Sequence, residues 1–510
     1  MYLCKKHNYM IKISLNGRYL MGCFLLGLCL MSGSLFANGN KPKRNKDATV
    51  LNAYQAYELL GVRFKEDSLF TPEQMREDLL FFYDKVLKTH PNPYHAISKD
   101  SLDKKVEVLL KSLDKPLNRR EFWLKIATLN ACFDAHTEVM RIGEILDYFW
   151  ANSKPQISWN LSNNMMILDS LRNFYFNPAY SDSLLAGKHI KSVNGMPANQ
   201  IIDKISTYYS HESKNPLSHR FSDYFFVLYP HLFGRVDSFR FEYINNNEVA
   251  VRTFTSNDTA LYTQAKQQTN DKNVYGEKNF VRFNIYEDSI AIIELNTFES
   301  GYLGKNYRKD LEAIMNTVVN KNVKHLFIDV SANGGGSDIC ALEILNFIKT
   351  EKKKYSDGSS EIKISPGYRA IMAQSSLPDG TMIKREHYWR KNNSKIQYNQ
   401  NFYLIQSTIG TRSASVSLAS LVKAYKLGTI IGEETGGITG CYTNCVCWAM
   451  PNTAIPFMCS TVKAIDVDGA MDGRGVLPDI EYKMKNPYKI FTLEQLKEML
   501  QLIEEYKMQK

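Results

Sequence analysis

Apolar residues recur at spacings of three and four along residues 71–138, which predicts a helical region at this end of the chain. The stretch Thr71-Pro-Glu-Gln is an N-terminal capping signal. Pro91-Asn-Pro93 interrupts the pattern, which then resumes and continues to residue 133. The last predicted helix therefore ends at Asp134-Ala-His136-Thr, where a histidine enters a loop.

The pattern changes over residues 150–260, where short apolar runs alternate with turn signals. In Val193-Asn-Gly195-Met-Pro197, the Asn-Gly pair predicts a tight turn between a strand and a helix. We predict a small mixed or mainly β unit here.

From residue 279 the chain alternates strand-like and helical stretches, the order typical of an α/β core. The predicted order is strand 290–295, helix 307–319, strand 323–330, helix 339–349, strand 402–405, helix 413–425 and strand 429–431. We predict an α/β core over residues 275–490 and a C-terminal helix over 491–510.

The N-terminus has the pattern of a targeting segment. Basic residues precede an apolar run at 19–31, and a small-residue stretch ends at Ala37. The run is shorter than the roughly 20 residues that span a bilayer, which disfavours the alternative of an uncleaved anchor. We predict a signal peptide at 1–37, a linker and lead-in at 38–69, and export to the periplasm, the cell envelope or the medium, with no stable membrane span after cleavage.

Composition narrows the class of protein. The 510 residues are 44% hydrophobic and 23% charged, as in ordinary globular proteins. The net charge of +10 falls to +6 without residues 1–37, and no long basic stripe is present, so we expect no nucleic-acid partner. Four of the six cysteines beyond residue 37 cluster at Cys441, Cys445, Cys447 and Cys459. Export favours disulfides among them; zinc is the weaker alternative because paired CxxC knuckles are absent from the sequence.

Two strand-to-helix junctions contain candidate chemistry. Leu326-Phe-Ile-Asp-Val-Ser-Ala-Asn-Gly-Gly-Gly336 leads from a buried strand into three glycines, which let the backbone approach a ligand and present N–H groups to an oxyanion. The alternative is a simple tight turn. Gly410-Thr-Arg-Ser413-Ala-Ser415 opens a helix, where a serine is either a nucleophile or a helix cap.

A serine nucleophile needs a base, and His136 is a candidate although a lone histidine is usually structural. The acid-rich loop 466–479 contains Asp472, which could orient a histidine or simply be solvated.

The motifs around His136, Val193, the glycine loop and Ser413 are followed by Ile-Ile-Gly-Glu-Glu-Thr-Gly-Gly437 and Gly475-Val-Leu-Pro-Asp479. In this order along the chain, they resemble the S41 peptidases, the C-terminal processing and tricorn-type serine proteases. The resemblance implies a crotonase-like (ClpP/crotonase superfamily) α/β core at 275–490, an N-terminal helical domain at 70–145 and an inserted PDZ-like domain at 150–260.

The resemblance also implies site residues. The nucleophile falls on Ser413, and the oxyanion donors fall on Ala414 and the glycine loop, Gly334 and Gly335 foremost. Family members with a Ser/Lys dyad have a lysine where this chain has Ile438, and Lys423 and Lys426 are predicted to be solvated. The His-dependent tricorn-like arrangement fits better, with His136 as base.

Tricorn-type sites add a serine before the histidine and a glutamate before the Gly-Val-x-Pro-Asp segment. Here Ala135 and Asp472 occupy those positions. Asp472 is therefore the candidate that orients His136.

These residues predict an exported serine peptidase that cleaves peptide or protein substrates through an acyl-enzyme, without a cofactor or metal. One alternative is an inactive peptide- or ligand-binding protein on the same scaffold. A third possibility is a hydrolase or transferase of small acyl substrates, because crotonase-like cores also stabilise other oxyanions.

Overall fold

The computed structural model describes residues 50–51, 53–65, 67–152, 166–168, 172–176, 184–210, 219–255, 274–275, 280–371, 376–467, 473–484 and 490–508. The predicted signal peptide and Asp472 lie outside the described residues. Within these ranges, no helix is both long and apolar enough to cross a bilayer.

The N-terminal part is mainly helical. Its helices are α1 (Ala53–Gly61), α2 (Pro72–Thr89), α3 (Lys99–Ser112), α4 (Arg119–Ile126) and α5 (Gly143–Asn152), with short strands β1 (Leu69–Phe70), β2 (Leu117–Asn118) and β3 (Glu138–Val139). The predicted capping signal is confirmed, because Thr71 and Gln74 form a reciprocal capping box at the start of α2. The last predicted helix, which the apolar pattern extends to residue 133, is shorter: α4 ends at Ile126 and a 3-10 helix, Ala127–Cys132, continues it.

The middle part contains two small antiparallel sheets. Its elements are β4 (Met166–Leu168), β5 (Phe174–Phe176), β6 (Ile190–Val193), β7 (Met196–Pro197), α6 (Ala198–Ile205), α7 (His219–Phe233), β8 (Phe239–Asn245) and β9 (Glu248–Phe254). β4 pairs with β5, and the other strands follow the order β7-β6-β8-β9. The turn predicted at Asn194-Gly195 is confirmed, with both residues at positive φ (51° and 80°).

The α/β core predicted from residue 279 is confirmed. Its strands are β10 (Val274–Tyr275), β11 (Val281–Tyr286), β12 (Ile290–Leu295), β13 (His325–Asp329), β16 (Asn401–Gln406), β17 (Thr429–Gly432) and β20 (Ile480–Glu481), and they form one sheet in that order. From β12 onward the strands are parallel. β12 is buried along its whole length, as expected for a strand covered on both faces.

Helices cover this sheet. They are α8 (Ser300–Leu303), α9 (Tyr307–Asn320), α10 (Asp338–Leu342), α12 (Ala414–Ala424) and α13 (Leu493–Met508), whereas α11 (Pro366–Ile371) contacts α2. Leu311 and Leu418, from α9 and α12, share one buried cluster, whereas Leu496 of α13 packs with Phe327 and Tyr403 in another. The helix predicted over 339–349 is α10 followed by a 3-10 helix, Glu343–Phe347.

A second antiparallel sheet adjoins the core. Its strands are β14 (Lys354–Lys363), β15 (Met382–Arg390), β18 (Gly440–Ala449) and β19 (Pro456–Ile465), in the order β15-β14-β19-β18. β3 of the helical part pairs with β19 through Val139 opposite Phe457. The β18–β19 hairpin therefore connects this sheet to the helical N-terminal part.

Two buried charged residues hold the turn of this hairpin. The Asp78 carboxylate accepts hydrogen bonds from the N–H groups of Asn452 and Thr453, each at 2.8 Å. The Arg119 guanidinium donates to the carbonyl oxygens of Thr453 and Ala454 and also pairs with Glu144. Side chains from α2 and α4 thus satisfy backbone groups of the distant hairpin.

The disulfides expected among the clustered cysteines are wrong for this structure, in which none of the four thiols forms a disulfide bond. Cys459 stands opposite Val446, so its side chain points to the other face of the sheet from those of Cys445 and Cys447. It packs with Trp448 in one buried cluster, whereas Cys447 and Cys445 belong to another. A bond between opposite faces is not possible without moving the backbone.

Candidate active site

Ser413 stands immediately before helix α12, at the end of the segment that follows β16. Its backbone has φ 51° and ψ −125°, a conformation that costs a non-glycine residue free energy. Its side chain is exposed and makes no capping hydrogen bond to the helix. Ser415 is instead buried and donates to the carbonyl oxygen of Asn333 at 3.0 Å. The two candidate serines therefore differ: Ser415 is part of the packing, and Ser413 is presented outward.

The glycine loop lies directly against Ser413. A Cβ built on Gly335 would be 2.5 Å from the Cβ of Ser413 and 2.8 Å from the carbonyl oxygen of Arg412, so only glycine fits here without movement. Gly335 also has φ 105°, which favours glycine. Gly437 closes in from another side, with a built Cβ 3.1 Å from the Ser413 nitrogen.

Asn333 joins the glycine loop to the serine segment, a role that the sequence did not predict. Its side-chain Oδ1 accepts from the Gly335 N–H at 2.8 Å, and its Nδ2 donates to the carbonyl oxygen of Leu295 at 2.7 Å. Its own carbonyl oxygen accepts from the Arg412 N–H at 3.1 Å. The only sequence signal is an asparagine just before the glycines, a residue type that often bonds to backbone two positions on.

The predicted oxyanion donors lie together at this junction. The Ala414 N–H is at the start of α12, where the helix dipole favours negative charge, and a built Cβ on Gly335 would be 3.1 Å from that nitrogen. Gly334 is the adjacent, half-buried residue of the loop. The Gly335 N–H donates to Asn333 in this structure.

His136 lies in the loop between the 3-10 helix and β3, half-buried. Its Nδ1 is 2.7 Å from the carbonyl oxygen of Tyr442, in β18. A carbonyl oxygen only accepts hydrogen bonds, so this contact assigns the ring proton to Nδ1 and leaves the lone pair on Nε2. The neutral tautomer is the one that a general base needs.

Asp134 holds the loop that carries His136. Its Oδ1 accepts from the His136 N–H at 2.8 Å and from Ser460 Oγ at 2.7 Å, and its Oδ2 is 2.8 Å from His90 Nε2. Burial opposes ionisation of this carboxyl, but the hydrogen bond from His90 and the charge of His136 hold the pKa of Asp134 well below its usual value. Asp134 is therefore an ionised group in a fully buried position.

The segment 437–442 contacts both Ser413 and His136. Gly437 contacts the Ser413 backbone, and Tyr442 binds His136. Thr439 accepts from the Asp466 N–H at 2.8 Å and donates to the carbonyl oxygen of Arg474 at 3.1 Å. Asp466 and Arg474, which lie on either side of residues 468–472 in the sequence, are therefore both bonded to Thr439.

The positions of Lys423 and Lys426, the two lysines considered as alternative bases, are consistent with a site that does not use a lysine base. Lys423 donates to Asp479 Oδ1 at 2.6 Å, and Lys426 is exposed. Ile438 stands where a dyad lysine is found in the resembling family.

Carboxyl groups flank the site. Glu299 is buried next to the glycine loop, where burial raises its pKa to about 7. Burial, with a smaller contribution from Asp338, raises the pKa of Asp357 to about 7. Among the described residues, no group of histidine, cysteine and acidic side chains has the arrangement of a metal site.

The sequence of the core is similar to a known protein family. Residues 289–482, which include β12 to β20 and Ser413, match the sequence model of Peptidase family S41. No curated protein matches the sequence at a significant level.

Three solved structures illustrate the similarity of this chain to known proteins. A crystal structure of a CPAF mutant is similar with a TM-score of 0.50 at 12% identity, over 81% of this chain and 93% of that chain. A photosystem II D1 C-terminal processing protease gives a TM-score of 0.45 at 16% identity, over 81% and 93% of the two chains. The tricorn protease gives 0.33 at 13% identity, over 86% of this chain and 37% of that chain. The resemblance found in the sequence is confirmed over the core, where residues 289–482 match the S41 family model.

Proposed function

We propose that the chain is an exported serine peptidase in which Ser413 is the nucleophile and His136 the general base. The observation that carries the proposal is the backbone of Ser413, which is held in an unfavourable conformation with its side chain exposed and the glycine loop pressed against it. Backbone strain of this kind persists where the surrounding structure imposes it, often at active sites.

The proposed reaction needs only residues of this chain. Ser413 Oγ attacks the carbonyl carbon of the scissile peptide while its proton passes to His136 Nε2. The C–N bond then breaks, and the leaving amine takes that proton. Water repeats the steps on the resulting ester, so the acid is released and Ser413 regains its proton. No cofactor enters the cycle.

The oxyanion is stabilised by the N–H of Ala414 and by the glycine loop. Gly334 and Ala414 make the first contacts, and the Gly335 N–H joins them when its bond to Asn333 Oδ1 lengthens. Asp472 is the proposed carboxylate beside the imidazolium. The support is that Asp466 and Arg474, on either side of it in the sequence, are both bonded to Thr439.

The parts of the fold have matching proposed roles. The parallel sheet with its helices corresponds to a crotonase-like core, residues 70–145 form a helical domain that supplies His136, and residues 150–260 form a PDZ-like domain that holds or gates substrate. The pairing of β6 with β7 across the Asn194-Gly195 turn and the following α6 support the last assignment.

The main alternative is an inactive protein that binds peptides or other ligands in the same cleft. Two observations favour it: Ala135 replaces the serine found in tricorn-type sites, and the Gly335 N–H is already bonded to Asn333. A small-acyl hydrolase or transferase is the third candidate, with the same nucleophile and a different leaving group.

The experiment is fluorophosphonate labelling of the purified protein, followed by mass spectrometry to locate the adduct. We expect the adduct on Ser413, no labelling of Ser413→Ala, and hydrolysis of a peptide library by the wild-type protein alone. Ser415→Ala is the matched control and should still be labelled when folded. An adduct on Ser415, or labelling that survives Ser413→Ala, contradicts the assignment; absence of any labelling favours the binding protein.

Export is tested separately. The intact mass of protein purified from the envelope fraction of an expressing bacterium should correspond to a chain that begins at residue 38. A mass that retains residues 1–37 contradicts cleavage.

A further inference from the structure

We propose that Asp134 and His90 form a buried positioning pair for His136. This inference rests on the proposed function, in which His136 is the base. Neither residue touches substrate in the proposed mechanism; both act by fixing the place and the charge preference of the imidazole.

The first step is that Asp134 holds the loop of His136 in place by hydrogen bonds. Its carboxylate binds the backbone N–H of His136 and the hydroxyl of Ser460 at the same oxygen. Ser460 belongs to β19, and its own N–H donates to Thr137 Oγ at 3.0 Å. Asp134 therefore links the backbone of His136 to Ser460 of the β18–β19 hairpin, and Thr137, the residue after His136, binds the same serine. The hydrogen bond of His136 to Tyr442 then sets the ring relative to the same hairpin.

The second step is the tautomer of His90. Its Nδ1 accepts from the Asn92 N–H at 3.0 Å, so the ring proton is on Nε2, which donates to Asp134 Oδ2 at 2.8 Å. Both side chains are fully buried. Because an unpaired buried carboxylate is costly, His90 is what permits Asp134 to stay ionised at this position.

The third step is that Tyr442 contacts both His90 and His136. The His90 ring lies 4.6 Å from the ring of Tyr442, whose carbonyl oxygen binds His136 Nδ1. His90 thus packs against the residue that orients the base and also binds the carboxylate that holds its loop. A shift of His90 would disturb both contacts of His136.

The fourth step is electrostatic. His136 lowers the pKa of Asp134, and the interaction is reciprocal, so the carboxylate favours the imidazolium that forms when His136 takes the proton. The other titratable or charged groups around this pair are His95, which is stacked on His90, Tyr442, whose ring is tilted against His90, Cys459 near Asp134, and Lys363, which donates to the carbonyl oxygen of His90.

The test uses the full mature chain and a fluorogenic peptide that the wild-type protein cleaves. For Asp134→Asn we expect kcat to fall about 100-fold, the loss typical of a misplaced catalytic group, with KM within about threefold. The acid limb of its kcat/KM profile should move to lower pH. His90→Phe, which leaves Asp134 Oδ2 without its donor, should lose kcat in the same direction. His90→Gln should recover most of it, since the amide nitrogen can replace Nε2–H.

Asp78→Asn is the matched control, because Asp78 is also a buried carboxylate bound to the β18–β19 hairpin. It should lower the unfolding temperature and leave the pH profile of the folded enzyme in place. If Asp134→Asn only lowers the unfolding temperature and keeps wild-type kcat and an unmoved acid limb, the pair is merely structural and the inference is overturned.

A second readout does not depend on activity. In protein labelled with ¹⁵N-histidine, the His136 ring signals, assigned by their loss in His136→Ala, should report the Nδ1–H tautomer. Their titration should move to lower pH in Asp134→Asn. An unchanged titration refutes the pairing even if the chain proves to be a binding protein, whereas a shifted titration without any hydrolysis refutes the proposed function alone.

Discussion

Replacing Gly335 with alanine should strongly reduce the reactivity of Ser413, while the protein still folds. The new Cβ would lie 2.5 Å from Ser413 Cβ and 2.8 Å from the Arg412 carbonyl oxygen. Carbon atoms pack at roughly 3.5–4.0 Å, so Ser413 or the loop must move by about 1 Å. A displacement of that size at a reacting group costs about 100-fold in rate. The positive φ of Gly335 adds roughly 1–2 kcal/mol of backbone strain.

The control is Gly380→Ala. Gly380 also has a positive φ, 85°, but nothing lies within 4 Å of its built Cβ. The two variants share the backbone strain and differ in the contact with Ser413. Both should therefore unfold at somewhat lower temperature, while only Gly335→Ala should lose the second-order rate of fluorophosphonate labelling. A folded Gly335→Ala protein that labels Ser413 at the wild-type rate would refute the idea that the loop sets the position of the nucleophile.

Three other outcomes are expected. His136→Ala should remove nearly all peptide hydrolysis, Asp472→Asn should remove less, and Asp472→Glu should be tolerated or raise the rate; wild-type turnover by His136→Ala would refute the triad. Deleting residues 150–260 should spare the core but change peptide preference, and unaltered kinetics on long peptides would count against gating. Because burial raises the pKa of Glu299 from 4.5 to about 7, ionisation destabilises the fold as pH rises through this window, so Glu299→Gln should flatten the fall in unfolding temperature that we expect for wild type between pH 4.5 and 7. An equal fall in both proteins contradicts that reasoning.

The meeting of Ser413 with the glycine loop could be predicted because it follows from local patterns. β13 and β16 are parallel neighbours, with Asp329 opposite Ile405, so the segments that follow them leave the same edge of the sheet. Each strand is a short apolar run, and each is followed by a helix-start signal. Periodicity and turn residues contain that information without any long-range contact.

The roles of Tyr442 and His90 could not be predicted in this way. The bond from His136 to Tyr442 joins residues 306 positions apart, and a carbonyl acceptor has no residue-type signature at all. The failed disulfide expectation has a related cause. Clustering in sequence says nothing about faces, and only the register that places Cys459 opposite Val446 separates its thiol from those of Cys445 and Cys447.

The β18–β19 hairpin explains how a base from the helical part can serve a nucleophile from the core. Its turn is held by Asp78 and Arg119, and its strands bind the loop of His136. Each hydrogen bond at the turn contributes on the order of 1 kcal/mol, and loss of either partner leaves buried polar groups unpaired. Between Gly437 and Tyr442 the chain is too short to span more than about 18 Å, so any shift of the hairpin moves the base relative to Ser413. The packing of the helical part against the core therefore also determines how the residues of the proposed triad are aligned.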